Sequence, residues 1–192
     1  VTNTSVEINN SASVAGTAIA AWDNGNLAIA WTRPIYSGTT QHVLALSVYD
    51  GSSWTTQDID TASRTGYRPS IAIDNQGALH IAYLDRDNTN LRYATNASGS
   101  WVLSTLDNSS VNPSNEAAKT GIAIDNRGHV HIIHPVQGSS VWVLNYTTNV
   151  SGSFVSTTIT DTTKDDGKYA SLAIAGNGSL HISVYRDSGG SD

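Results

Sequence analysis

One phrase occurs four times in this chain, and its spacing limits the possible folds more than any other feature. Residues 18–31 read A-I-A-A-W-D-N-G-N-L-A-I-A-W and residues 70–83 read S-I-A-I-D-N-Q-G-A-L-H-I-A-Y. Residues 121–134 read G-I-A-I-D-N-R-G-H-V-H-I-I-H, and residues 171–185 read S-L-A-I-A-G-N-G-S-L-H-I-S-V-Y. The turn glycines Gly25, Gly77, Gly128 and Gly178 follow one another at intervals of 52, 51 and 50 residues. A period of about fifty residues matches a four-stranded propeller blade or a kelch-like unit.

Within each phrase a short apolar run breaks at Asp-Asn-x-Gly and resumes, as in a hairpin whose glycine supplies positive φ. These runs are expected to be strands A and B of a blade. Residues 43–49, 91–95 and 141–146 follow as strand C, and residues 54–59, 101–106 and 154–159 as strand D. Each D strand opens on an aromatic residue: Trp54, Trp101 or Phe154. No segment places apolar residues at i, i+3, i+4 and i+7 between caps, so an all-β chain without long helices is expected. The expected architecture is a β-propeller of four-stranded antiparallel blades, treated as one domain over residues 1–192. Its full blades lie near 17–60, 69–107 and 120–161. A partial blade covers 170–192, and an orphan D-type strand covers 4–8. Two closures follow: a segment of a larger propeller of about six to eight blades, or a small ring of four.

Composition narrows the partners. The chain has neither Cys nor Met, so disulfides and thiolate metal sites are excluded, and an upstream segment is expected before Val1. Only 14% of residues are charged, and the net charge is -6. Ten Lys and Arg residues scattered singly do not form the basic stripe that nucleic-acid binding needs. No apolar run reaches the roughly 18 residues of a membrane span. An extracellular or cell-surface location is expected. Sequons at Asn3, Asn9, Asn96, Asn108, Asn145, Asn149 and Asn177 are candidate glycosylation sites, although Asn beside Ser or Thr is also ordinary turn chemistry.

The repeated Ser/Gly-Ile-Ala-Ile-Asp-Asn-x-Gly-x-Leu/Val-His-Ile resembles the repeats of secreted bacterial and archaeal propellers of the broad sialidase-like, Asp-box type. An Ile follows the His where the Asp-box pattern has Trp. The resemblance implies an extracellular propeller that meets glycans or cell-surface polymers, as a binder or as an enzyme.

The loops after strands D and B are the longest and least alike, and they share one face of a propeller. They carry Arg33, Tyr36, Arg64, Tyr67, Arg68, Lys119, Lys168 and Tyr169, cations and aromatics suited to gripping carboxylates and stacking sugars. His80, His131 and His181 recur in one register and read as packing devices. His134 breaks the repeat, standing where Trp31, Tyr83 and Tyr185 are aligned with it. An enzyme would use His134 as acid or base with Tyr83, Tyr185 or Arg186. Asp85 and Asp87 put carboxylates on one loop and are the Ca²⁺ candidates; no other cofactor is expected. Three functions follow. The first is a non-catalytic module binding carbohydrate or a surface protein, the second a polysaccharide lyase or glycosidase, and the third a structural segment completed by strand exchange.

Overall fold

The computed structural model of the chain describes residues 16–36, 40–62, 64–109, 111, 118–138 and 141–187. The orphan strand expected at 4–8, Asn3 and Asn9 lie outside these residues. Fourteen strands form four antiparallel sheets, and no helix occurs among the described residues. None is therefore long and apolar enough to cross a membrane.

Sheet I contains β1 (Thr17–Ala21), β2 (Leu27–Tyr36), β3 (Thr40–Tyr49) and β4 (Trp54–Asp60). Sheet II contains β5 (Tyr67–Ile73), β6 (Leu79–Asp85), β7 (Asn90–Thr95) and β8 (Val102–Asp107). Sheet III contains β9 (Gly121–Ile124), β10 (Val130–Gln137), β11 (Trp142–Thr148) and β12 (Val155–Thr158), and sheet IV pairs β13 (Asp165–Ile174) with β14 (Leu180–Asp187). Strand order follows chain order in every sheet. The opening strands are neighbours in series, β1 beside β5, β5 beside β9 and β9 beside β13, so they form the inner edge of the array.

The A–B turns form because the Asp before the turn folds its carboxylate back. Asp74 Oδ1 accepts the amides of Gln76 and Ala78, each at 2.9 Å, and Asp125 Oδ1 does the same for Arg127 and His129. Gly77 completes its turn at φ 84°.

Apolar burial then joins the sheets face to face. Successive side chains on a strand point to opposite faces. Leu79, Ile81 and Tyr83 of β6 meet Ala28, Ala30, Leu44 and Leu46 of sheet I. Ala82 and Leu84, from the other face of β6, meet Val130 and Ile132 of β10. β6 is buried along its whole length, and its polar His80 and Asp85 are buried with hydrogen-bond partners. The D-strand aromatics reach back one sheet: Trp101 packs into the I–II seam, and Phe154 lies 5.3 Å from the Tyr93 ring in the II–III seam.

His80 and His131 join strands within their own sheets. The Tyr93 hydroxyl lies 2.5 Å from His80 Nδ1, and His80 Nε2 lies 3.1 Å from Asp74 Oδ2. One neutral tautomer satisfies this chain, with Tyr93 donating to Nδ1 and Nε2–H donating to Asp74. Tyr146 and His131 repeat the contact at 2.5 Å, while Asp125 is taken by His129 Nδ1 at 2.8 Å. In sheet I, Ala28 and Leu46 hold the corresponding positions and both are buried.

Candidate functional site

The most distinctive backbone lies where the inner strands begin. In β5–β6 the pairing jumps from Tyr67↔Leu84 to Ser70↔Ala82, and in β13–β14 from Lys168↔Tyr185 to Ser171↔Ser183. Each jump is a bulge, and it holds one bulky residue in left-handed backbone: Arg68 at φ 51° and Tyr169 at φ 52°. Such a conformation costs a large side chain about 1–3 kcal/mol. By register, Gly16 of sheet I and Lys119 of sheet III hold the same place.

A cavity of about 380 Å³ opens between these strand starts, lined by Gly16, Thr17, Arg68, Ser70, Lys119 and Thr120 among others. Its hydroxyls brace the wall. Thr120 donates to the Arg68 carbonyl at 2.7 Å, and the Ser70 and Thr120 hydroxyls lie 2.9 Å apart. Arg68 Nε and Nη2 are buried and have no hydrogen-bond partner among the described residues. Lys119 is exposed and forms no ion pair among the described residues.

More cations lie near the same end of sheet II. The Arg86 amide donates to the Arg64 carbonyl at 3.0 Å, and the Arg86 guanidinium lies 5.9 Å from the centre of the Tyr67 ring. Arg64 pairs with Asp87 at 3.2 Å. Tyr67 is fully buried, and its hydroxyl lies 2.7 Å from His42 Nδ1. Burial lowers the His42 pKa, with the positive charges of Arg86 and then Arg64 adding to it. His42 therefore stays neutral near pH 7 and accepts from Tyr67.

The other expected ligand residues are dispersed. Arg33 grips Asp58 with both Nε and Nη2, Nε at 2.8 Å. Lys168 pairs with Asp165. Tyr169 is 58% exposed and meets the 55% exposed Tyr185 edge to face, ring centres 6.0 Å apart. Tyr36 ends β2, and only that position is described.

The residues named for an enzyme are not brought together. Tyr83 is buried in the I–II seam and donates to Asp60 Oδ2 at 2.7 Å. Burial, with Asp60 beside it, raises its pKa far above the ordinary tyrosine value, so the phenol stays protonated. His134 is 0% exposed on the II–III side of β10, with Nε2 3.1 Å from Asp107 Oδ2. Arg186 donates to the buried Asp166 at 2.9 Å. No hydrogen bond or ring contact joins any two of Tyr83, His134, Tyr185 and Arg186. The pairings also correct the repeat alignment: Ile182 matches Ile81, so Val184 stands in the register of Tyr83 and His134, while Tyr185 matches Leu84. One residue of slip turns a strand side chain to the opposite face.

Asp85 is turned into its own loop. Its Oδ1 accepts the amides of Asp87 and Asn88 at 3.0 and 3.1 Å, and its Oδ2 accepts from the Asn88 side chain at 2.9 Å. No group of three or more His, Asp or Glu side chains suited to a metal ion occurs among the described residues. Among the sequons, Asn96 and Asn149 use Oδ1 to accept the Leu79 and Val130 amides. Asn108 is exposed, and the exposed Asn177 accepts the Ser179 amide. Asn145 is buried, and its Nδ2 donates to Asp107 at 3.0 Å.

Sequence reasoning missed the carboxylates that end the D strands. Asp60 receives Tyr83 and lies 3.2 Å from Arg92; Asp107 receives His134 and Asn145. Both stand six residues after a D-strand Trp, a spacing visible in the repeats.

No protein-family model matches the chain, and no curated protein resembles it in sequence. Solved structures resemble it in fold. A fucose lectin from Kordia zhangzhouensis, in complex with methyl-fucoside, superposes with a TM-score of 0.52 at 11% identity, over 76% of this chain and 100% of the lectin. A leech intramolecular trans-sialidase superposes with a TM-score of 0.54 at 15% identity, over 85% of this chain. The chain spans 26% of that enzyme's length. The fold and these neighbours define an all-β, propeller-type protein. At such identities the likeness is one of fold.

Proposed function

We propose that this chain is a non-catalytic carbohydrate-binding module, working at an extracellular or cell surface, with its site at the inner strand starts. The observation that carries the reading is the cavity of about 380 Å³ walled by Arg68, Lys119 and the Ser70 and Thr120 hydroxyls. Glycan sites need a concave wall with a few converging polar groups, and this cavity supplies one. The exposed Tyr169 shares the bulge register and offers an aromatic face for stacking a pyranose ring. Binding is favoured over turnover because the cavity lining holds cations and hydroxyls but no carboxylate or imidazole to move a proton. The fold likeness to a fucose lectin fits this reading.

The test is a glycan array probed with the full chain, followed by reducing-end assays on every glycan retained. Retention without release of reducing ends supports the proposal. Cleavage of a bound glycan would make the chain an enzyme, and retention of no glycan would remove the carbohydrate reading.

A further inference from the structure

Resting on the carbohydrate reading, we infer that the ligand carries a carboxylate and that Arg68 is the residue that recognises it, so the partner is a uronate-type acidic glycan rather than a neutral one.

The inference comes from a comparison inside the molecule. Arg33 and Arg68 are both guanidinium groups held on the sheet framework. Arg33 uses Nε and Nη2 as a fork, one nitrogen to each oxygen of Asp58. In Arg68 the same two nitrogens, Nε and Nη2, have no partner among the described residues, and both are buried. The planar fork of arginine matches the two oxygens of a carboxylate, a match that a lysine or a hydroxyl does not make. Arg68 is half-buried, and leaving two of its guanidinium nitrogens covered without an acceptor is costly, a cost that an anionic ligand removes on arrival.

Position and charge agree. Arg68 lines the cavity together with Lys119, and no carboxylate is among the lining residues. In a chain of net charge -6, this wall is cationic without an internal counter-ion. The Thr120 hydroxyl anchors the Arg68 carbonyl, so the residue is fixed at its backbone while its head group remains unspent. Arg68 holds this place in left-handed backbone at φ 51°, as Tyr169 does in the matching bulge of sheet IV at φ 52°. Both fork nitrogens are covered in the unliganded arrangement, so binding includes a rotation of the guanidinium into the cavity.

Isothermal titration of the full chain tests this with three probes: oligogalacturonate, the same oligosaccharide with its carboxyls reduced to alcohols, and a sulfated neutral oligosaccharide. The expected result is uronate binding about tenfold or more tighter than the reduced form, with the sulfated probe weaker than the uronate. Arg68→Gln should remove most of the preference for the uronate over the reduced form, and Arg68→Lys should remove the preference for the uronate over the sulfated probe, because Lys keeps the charge without the fork. Equal binding of the uronate and reduced forms would overturn the inference while leaving the carbohydrate reading intact. Equal binding of the uronate and sulfated probes would replace carboxylate recognition with general anion attraction. Binding of none of the three, with no glycan retained on the array, would remove both readings. The probe comparison on the unaltered chain keeps the test valid even if a variant folds poorly.

Discussion

Tyr83 of β6 donates its phenolic hydrogen across the seam between sheets I and II to Asp60 at the end of β4, 2.7 Å away. The next seam repeats the device with different residues, His134 of β10 meeting Asp107 at the end of β8 at 3.1 Å. Each link ties a second strand to the last strand of the preceding sheet. Tyr83→Phe keeps the ring and removes only the donor. The expected cost is about 2 kcal/mol, because Asp60 stays buried with one partner fewer. Urea denaturation of the two proteins measures it.

Acid should unfold the chain by releasing its aspartates. Burial alone would raise the Asp107 pKa, but hydrogen bonds from His134, Ser109 and Asn145 outweigh it and hold the carboxyl well below the usual range. Backbone amides of Ser53 and Ser52 hold Asp50 at about 2, and Thr163 with Lys164 holds Asp161 at about 2. A folded-state pKa below the unfolded one means that the charged form favours the fold. The contribution is complete above the unfolded value near 4 and is lost as pH falls towards 2 and below. Thermal melts from pH 6 to pH 2 should therefore show a falling Tm, and Asp107→Asn should flatten the fall while lowering stability at neutral pH.

Gly66 sits at φ 78° in the connection from sheet I to sheet II, where a Cβ would lie 2.5 Å from the Leu44 backbone. Gly167 presses in the same way on the Val143 backbone of sheet III. Gly66→Ala combines a left-handed conformation with a clash against immobile atoms. The expected loss is about 3 kcal/mol, read as a shift in the denaturation midpoint.

His80 and Tyr93 should behave as a pair. His80→Ala alone leaves the Tyr93 hydroxyl buried without its partner. Adding Tyr93→Leu reproduces the Ala28 and Leu46 combination of sheet I. The double variant should lose less stability than the sum of the two single variants, with a coupling of about 1 kcal/mol in a double-mutant cycle.

Arg68→Gly separates stability from binding. Glycine adopts the left-handed backbone without steric cost, so stability should hold or rise by up to about 1 kcal/mol, after allowing for the greater freedom of glycine in the unfolded chain. Uronate preference should vanish in the same protein. A large loss of stability would mean that Arg68 serves the packing instead.

The strands were legible because short apolar runs break at turn residues such as Asp74 and Gly77. Leu79, Ile81 and Tyr83 alternate with His80, Ala82 and Leu84, and both sets of apolar side chains find a facing sheet. Site residues were less legible because loop position does not reveal orientation. Tyr67 read as a loop aromatic for ligand, yet it lies buried against His42. The extra residue in the last phrase hid the register of Val184 and Tyr185, which only the pairing of Ile182 with Leu172 resolves. The Asp60 and Asp107 links span different repeats, so a search within one phrase does not find them.

At the strand starts one register position changes occupant from sheet to sheet, with a bulge there in sheets II and IV. One backbone position accepts Gly16, Arg68, Lys119 and Tyr169 in four successive sheets, while the seams behind it are packed by other residues. That position can therefore change in bulk and charge from sheet to sheet while the seams stay as they are, except at Gly16, where a Cβ would lie 2.9 Å from the Arg68 backbone.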